Sequence, residues 1–175
     1  MKIEFERTLE DLIEFNLFSV DNSPSLRRQL LLQRVVISLL IFVTIPLVIY
    51  TTGNRHLEIF DYIISAIAGG FVLFIYPSIY RFDYIRRLKK LYSEGDNKAI
   101  LGKHKYVVSQ DGLTATTPAG ESKINWSSIN KIMENEKYIF LYIGAASAIT
   151  VPRSSFSDSK SEKDFLDIVK TNTGR

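Results

Sequence analysis

The chain has 175 residues and a formal net charge of +3, and 46% of its residues are hydrophobic. It contains no cysteine, which excludes disulfide bonds and thiolate metal sites. Residues 91–175 carry 11 Lys and Arg against 10 Asp and Glu. This near-neutral balance lacks the concentrated basic face that nucleic-acid binding requires, so we expect no nucleic-acid partner.

The first 23 residues predict a short strand followed by an amphipathic helix. Apolar and charged residues alternate from Lys2 to Arg7, which is typical of a strand with one buried face. Thr8 and Asp11 have the spacing of a capping box that opens a helix, and Asp21 to Pro24 ends that helix. We therefore predict residues 1–23 as a cytosolic strand plus amphipathic helix ahead of a long apolar region.

Residues 24–92 predict a transmembrane hairpin with spans at about 33–52 and 60–81. There are 20 uncharged residues between Arg34 and Arg55 and 19 between Asp61 and Arg81. About 20 apolar residues in a helix cross the hydrocarbon core of a bilayer. A buried helix of a globular core is the alternative for the first run. A secretory signal peptide is disfavoured because the run begins late and a second run follows it.

The second apolar run contains two overlapping pairs of small residues four positions apart. Such pairs allow the backbones of two helices to approach closely in lipid. The candidate helix-packing residues are Ser65, Ala66, Gly69 and Gly70. The first span is the expected partner, and self-association with a second copy of the chain is the alternative.

Basic residues flank the two spans at the same end of the hairpin. Eight of them are Arg27, Arg28, Arg34, Arg81, Arg86, Arg87, Lys89 and Lys90, whereas the connecting loop offers Arg55 alone. The positive-inside rule then predicts a multi-pass protein of the bacterial inner (plasma) membrane with both termini in the cytoplasm. Arg86, Arg87, Lys89 and Lys90 are candidate contacts for lipid headgroups, each worth about 1 kcal/mol near an anionic surface.

Three tyrosines at the cytosolic end of the second span predict an interfacial anchor. Tyr76, Tyr80 and Tyr84 recur every four residues, so they lie along one side of the helix. Amphipathic aromatic side chains are enriched at headgroup depth. We therefore interpret these tyrosines as an anchor and not as a ligand site.

Residues 97–175 predict a β-rich domain that ends in a helix. Six segments have strand character and are separated by polar or glycine-containing turns: 105–109, 113–117, 122–126, 129–133, 138–143 and 147–151. Ser159 and Glu162 have capping-box spacing and would open the final helix. The sequence thus predicts an α+β protein in which a small curled antiparallel sheet packs against a C-terminal helix.

A set of short motifs along this region carries a family resemblance. They are Leu101-Gly102, Ser109-Gln110-Asp111-Gly112-Leu113, Ile124-Asn125-Trp126-Ser127-Ser128-Ile129, Tyr142 and Val151-Pro152-Arg153-Ser154-Ser155-Phe156. In this order, behind a two-helix hairpin, they resemble the YcxB-like protein family over nearly the whole chain. The resemblance implies a cytosolic domain built as a small antiparallel β-barrel of the PH (pleckstrin-homology) type, and it implies no catalytic residue.

No catalytic, cofactor or metal site is indicated by the residues. His56 and His104 fall on opposite sides of the membrane in the predicted topology, so they cannot share a site. Trp126 is interpreted as a core aromatic, with a ligand platform as the alternative, and Arg153 as a solvated turn residue, with an anion site as the alternative. We therefore expect no enzyme activity, no cofactor and no small-molecule substrate.

Two hypotheses for function remain. In the first, the chain is a membrane-tethered cytosolic binding module that recognises a protein partner or lipid headgroups. In the second, it is a subunit, homo-oligomeric or with other proteins, of an integral-membrane transport or envelope-stress complex that acts through the hairpin. The predicted spans contain no central charge, which disfavours a stand-alone transporter.

Overall fold

A computed structural model describes residues 1–53, 56–145 and 147–174. The helices are α1 (Leu9–Asp21), α2 (Pro24–Thr52), α3 (Ile59–Glu94) and α4 (Ser159–Thr173). The strands are β1 (Lys2–Arg7), β2 (Gly102–Val108), β3 (Gly112–Thr117), β4 (Gly120–Asn125), β5 (Lys131–Glu134), β6 (Tyr138–Tyr142) and β7 (Ala148–Pro152). These elements form two compact units. The β unit contains residues 1–16 and 89–174, and the hairpin unit contains Leu17–Leu88.

The β unit contains two antiparallel sheets in the described part of the chain. The first has the strand order β1-β2-β3-β4 and the second the order β5-β6-β7. The six predicted strands are all present, but within the described residues neither sheet closes, so the expected barrel is not observed. The two sheets are separated in sequence by the 3-10 turn Trp126–Ser128, in which the N–H of Ile129 donates to the carbonyl of Trp126.

The N-terminal strand belongs to the first sheet. Ile3 lies opposite Tyr106 and is 2% exposed, while Phe5 lies opposite His104 and stacks on its ring with 5.6 Å between centroids. The sheet predicted for residues 97–175 therefore contains a strand from residues 1–23. Local sequence patterns carry no signal for a pairing between strands so far apart in the chain.

Strand β6 is buried along its whole length because both of its faces are covered. Ile139 and Leu141 point into the main core together with Phe165 of α4. Phe140, on the opposite face, packs against Phe15 of α1 at 5.8 Å between ring centroids. A strand covered on both faces reads as a continuous apolar run, which is the pattern of Tyr138–Tyr142.

The N-termini of α1 and α4 are capped by side chains. The predicted Thr8–Asp11 box is confirmed, since the N–H of Asp11 donates to Thr8 Oγ1 and the N–H of Thr8 to Asp11 Oδ2. The predicted Ser159–Glu162 box is wrong. Asp158 caps α4 instead, accepting the Ser161 N–H at 2.7 Å, because its carboxylate stands one residue earlier and is the stronger acceptor.

Two helices, α2 and α3, are long and apolar enough to cross a membrane. Ser23 caps α2, accepting the N–H of Leu26, and Pro24 occupies the first turn, where no N–H is needed. Pro46 lies inside α2, and Pro77 lies inside α3. The predicted loop residue Arg55 lies outside the described residues.

Candidate functional site

A groove of about 880 Å³ lies in the hairpin unit, between the end of α1, the first turns of α2 and the middle of α3. Four arginines line it: Arg27, Arg28, Arg34 and Arg81. We call it the arginine groove. Its position follows from the break between α1 and α2, where Ser23 and Pro24 start a new helix and leave the end of α1 beside the α2 surface.

The α2 wall of the arginine groove combines charge with apolar surface. Arg27 and Arg34 are seven residues apart, which is two helical turns, so both lie on the same side of α2. Leu30 and Leu31 lie between them and also line the groove. Arg27 is exposed to solvent, whereas Arg34 is half-buried.

The α3 wall contains the three tyrosines with four-residue spacing. Tyr76, Tyr80 and Tyr84 all line the groove and are half-buried. The rings of Tyr80 and Tyr84 stack at 6.0 Å between centroids with 9° between planes. The hydroxyl of Tyr76 donates to Oε1 of Gln33 on α2 at 3.2 Å, which links α3 to α2 beside the groove.

The charges of the arginine groove are poorly compensated. Arg81 forms an ion pair with Asp21 at 3.5 Å, and both side chains are more than half exposed. The ion pairs recorded for residues 1–53, 56–145 and 147–174 do not include Arg27, Arg28 or Arg34. A planar guanidinium binds phosphate oxygens through two parallel hydrogen bonds. The groove is therefore suited to an anionic group.

The predicted headgroup contacts lie elsewhere. Arg86, Arg87, Lys89 and Lys90 are exposed and do not line the groove. Arg87 pairs with Asp83 at 2.7 Å and Lys90 with Glu94 at 3.7 Å, each across one helical turn. Sequence reasoning used Arg27, Arg28, Arg34 and Arg81 for orientation alone and missed that they converge.

The four small residues of α3 face in two directions. Ser65 and Gly69 are buried, and the hydroxyl of Ser38 on α2 donates to the Gly69 carbonyl at 2.7 Å. A methyl group added at Gly69 would lie 2.9 Å from the Ser38 carbonyl oxygen. Ala66 is exposed, and the space around a methyl group at Gly70 is open. The Ser65–Gly69 pair therefore lies at the α2–α3 contact, and the Ala66–Gly70 pair does not.

Two residues of the β unit that could have formed ligand sites are engaged within the protein. Trp126 is 6% exposed, and its indole N–H donates to the carbonyls of Ser109 and Gln110. Arg153 is not a solvated turn residue, because its guanidinium pairs with Glu134 and Glu162. Clusters of three or more metal-ligating side chains are absent from the described residues.

His104 is the one strongly buried histidine in the described part of the chain, with 3% of its surface exposed. Its Nε2 lies 3.2 Å from the carbonyl oxygen of Ile100, and its Nδ1 has no hydrogen-bond partner among the described residues. Burial, followed by the positive charge of Arg7, lowers the pKa of His104. The neutral form is therefore favoured, packed between the rings of Phe5 and Tyr106.

The chain was compared with protein families, curated proteins and solved structures. No curated protein and no solved structure matches the chain. The model of the YcxB-like protein family matches residues 108–169, from the end of β2 into α4. This segment contains most of the motifs that carried the resemblance, including Asn125-Trp126 and Pro152-Arg153. The predicted resemblance is thus confirmed there, and over residues 108–169 the chain is similar to the YcxB-like protein family.

Proposed function

We propose that this chain is an integral membrane protein whose α2–α3 hairpin crosses the bilayer and carries a non-catalytic binding module. The observation that supports this is the exposed apolar surface of both helices. Phe74 is 86% exposed, Phe71 62% and Leu40 60%. Apolar surface of this extent on adjacent helices is stable in lipid and unstable in water.

The proposed orientation places both termini in the cytoplasm. Within the β unit, β1 precedes the hairpin and pairs with β2, which follows it. This pairing supports a topology in which the chain enters and leaves the membrane on one side. The eight basic residues at that end of the hairpin support the assignment of this side to the cytoplasm under the positive-inside rule.

The β unit is the proposed binding module, and we propose for it the PH-like architecture that the family resemblance implies. Two antiparallel sheets followed by α4 support this assignment. A protein segment and a lipid headgroup are its candidate partners. Strand β4 lies at one edge of the first sheet and is largely exposed, which offers backbone hydrogen bonds to an extended peptide.

Membrane integration is tested by extracting membranes with alkaline carbonate. We expect the full chain to stay in the pellet, together with a known integral protein. Fusion of a fluorescent protein after residue 175 should give fluorescence, and fusion of alkaline phosphatase at the same point should give no activity. Release by carbonate would contradict the hairpin, and an active phosphatase fusion would contradict the orientation.

The second candidate function, a subunit of an oligomeric membrane assembly, is favoured by the outward direction of Ala66 and Gly70. Small residues on a lipid-facing helix surface permit close packing of a second helix. Chemical crosslinking in native membranes, followed by purification, distinguishes the two functions. Crosslinked copies of the chain would support the assembly, and crosslinks from the β unit to a different protein would support the binding module.

A further inference from the structure

We propose that the arginine groove binds an anionic phospholipid of the cytoplasmic leaflet, with the phosphate against the arginines and an acyl chain along α2. This inference rests on the proposed function, because it requires the hairpin to be in a bilayer. General attraction would hold lipids anywhere along the basic flank of the hairpin. This proposal instead places one lipid in the groove between the α2 wall and the α3 wall.

The first argument is the charge of the groove. Four arginines line it, together with one carboxylate, that of Asp21, which pairs with Arg81. The half-buried Arg34 has lost part of its hydration, so a counter-charge beside it is favourable. A lipid phosphate supplies this charge and accepts two hydrogen bonds from one guanidinium.

The second argument is the depth at which the groove lies. Tyr76, Tyr80 and Tyr84 form one wall, and tyrosines of membrane helices concentrate at headgroup level. Leu30 and Leu31 lie between the arginines of the other wall, so apolar and charged surface meet within the groove. A molecule with a charged head and an apolar body complements this arrangement.

The third argument separates a lipid from a free phosphate ion. A second groove, of about 650 Å³, shares Arg28 and Tyr76 with the arginine groove. Ser25, Gln29 and Gln33 line it as well, and its apolar residues Leu32, Val36 and Ile37 lie one or more turns beyond Arg28, toward the apolar centre of α2. A free phosphate ion has no apolar part to bury against this adjoining surface, whereas an acyl chain attached to the bound headgroup would cover it.

The test uses the full chain in a neutral detergent and titrates it with phosphatidylglycerol, with phosphatidylcholine or with inorganic phosphate. Bound lipid is counted by native mass spectrometry. We expect retention of phosphatidylglycerol in preference to phosphatidylcholine, and weak competition by inorganic phosphate. The double variant Arg27→Gln/Arg34→Gln should lose affinity for phosphatidylglycerol by about tenfold or more.

The matched control is Arg86→Gln/Arg87→Gln, which removes the same charge from the same helical hairpin outside the groove. Equal losses in the two double variants would overturn the groove and indicate diffuse attraction. Equal retention of both lipids would overturn it too, and full competition by phosphate would assign the site to the free ion. Thermal unfolding of each variant identifies losses due to misfolding.

The outcomes for this inference and for the proposed function are distinguishable. A chain that resists carbonate extraction yet shows no lipid preference overturns this inference alone, whereas a chain that carbonate releases overturns the proposed function.

Discussion

The hydroxyl of Tyr138 donates a buried hydrogen bond of 2.6 Å to Oδ1 of Asp11, although 127 residues separate the two in sequence. Oδ2 of the same carboxylate accepts the N–H of Thr8 at the start of α1. One side chain thus caps the N-terminal helix and fixes it to strand β6. Burial and then this hydrogen bond raise the pKa of Tyr138, so the phenol remains a donor at any physiological pH.

We expect Tyr138→Phe to lower the free energy of unfolding of the β unit by about 1–3 kcal/mol, because a buried carboxylate oxygen loses its donor. Trp126 is the one tryptophan of the chain and is buried, so its fluorescence during denaturant unfolding reports on this unit. Tyr106→Phe is the matched control. Tyr106 is equally buried but has no recorded hydrogen bond from its hydroxyl in the described residues. An equal effect of both changes would show that the Asp11 contact contributes nothing specific.

The pairing of β1 with β2 predicts which fragment of the chain folds. We expect residues 97–175 alone to be unstable, because Tyr106 and its neighbours lose the cover of Ile3. A fusion that joins residues 1–16 to residues 89–175 through a short flexible linker should fold. The side-chain nitrogen of Asn16 lies 3.5 Å from the hydroxyl oxygen of Tyr92. The two segments to be joined therefore lie close together, and a short linker can span them. Blue-shifted Trp126 emission and a cooperative unfolding transition are the measurements. A fragment 97–175 as stable as the fusion would contradict this prediction.

The two adjacent glycines of α3 should differ in their tolerance of a side chain. We expect Gly69→Val to lower the thermal stability of the hairpin in detergent, since its Cβ would lie 2.9 Å from the Ser38 carbonyl oxygen and 3.0 Å from its hydroxyl. Gly70→Val makes the same change in helix propensity and has open space around its Cβ. Circular dichroism during heating measures both variants. If Gly70→Val were the more damaging change, this would indicate that another helix packs against the outward face of α3 in the native protein.

The stability of the β unit should fall as the pH drops below about 6.5, the usual pKa of histidine. The pKa of His104 is lowered by burial and by Arg7, so between its folded-state pKa and 6.5 the unfolded chain binds more protons than the folded one. We expect His104→Gln to remove this part of the pH dependence in urea unfolding followed at Trp126. His56→Gln, the same substitution outside the β unit, is the control. An unchanged pH slope in His104→Gln would assign the acid sensitivity to carboxylates.

Local patterns predicted the elements of the chain well. The alternation of Lys2–Arg7, the Thr8–Asp11 box and the break at Asp21 to Pro24 each depend on residues within a few positions of one another. The predicted start of α4 is one residue late, because Asp158 and Ser159 are both acceptable caps and the carboxylate of Asp158 is the stronger acceptor.

Relations between distant segments were not predictable in the same way. Tertiary packing determines three features of the β unit. They are the division of the strands into two sheets, the place of β1 beside β2 and the burial of Tyr138 against Asp11. The arginine groove was missed for this reason, although its parts were visible. Arg27 and Arg34 are seven residues apart and the tyrosines four, and both spacings place side chains on one face of a helix. The two faces meet in one groove only because α2 and α3 pack against each other in the hairpin.

The register between β1 and β2 also has a consequence for biosynthesis. Translation proceeds at about 5–20 residues per second, so the roughly ninety residues between the two strands take about 5–20 s to synthesise. During this interval β1 has emerged from the ribosome and its partner does not yet exist. Lys2, Glu4, Glu6 and Arg7 place charges along this strand, and charges on an unpaired strand oppose association with other nascent chains. The charged side chains at the edge of the finished sheet thus also oppose association of β1 with other chains before β2 has been synthesised.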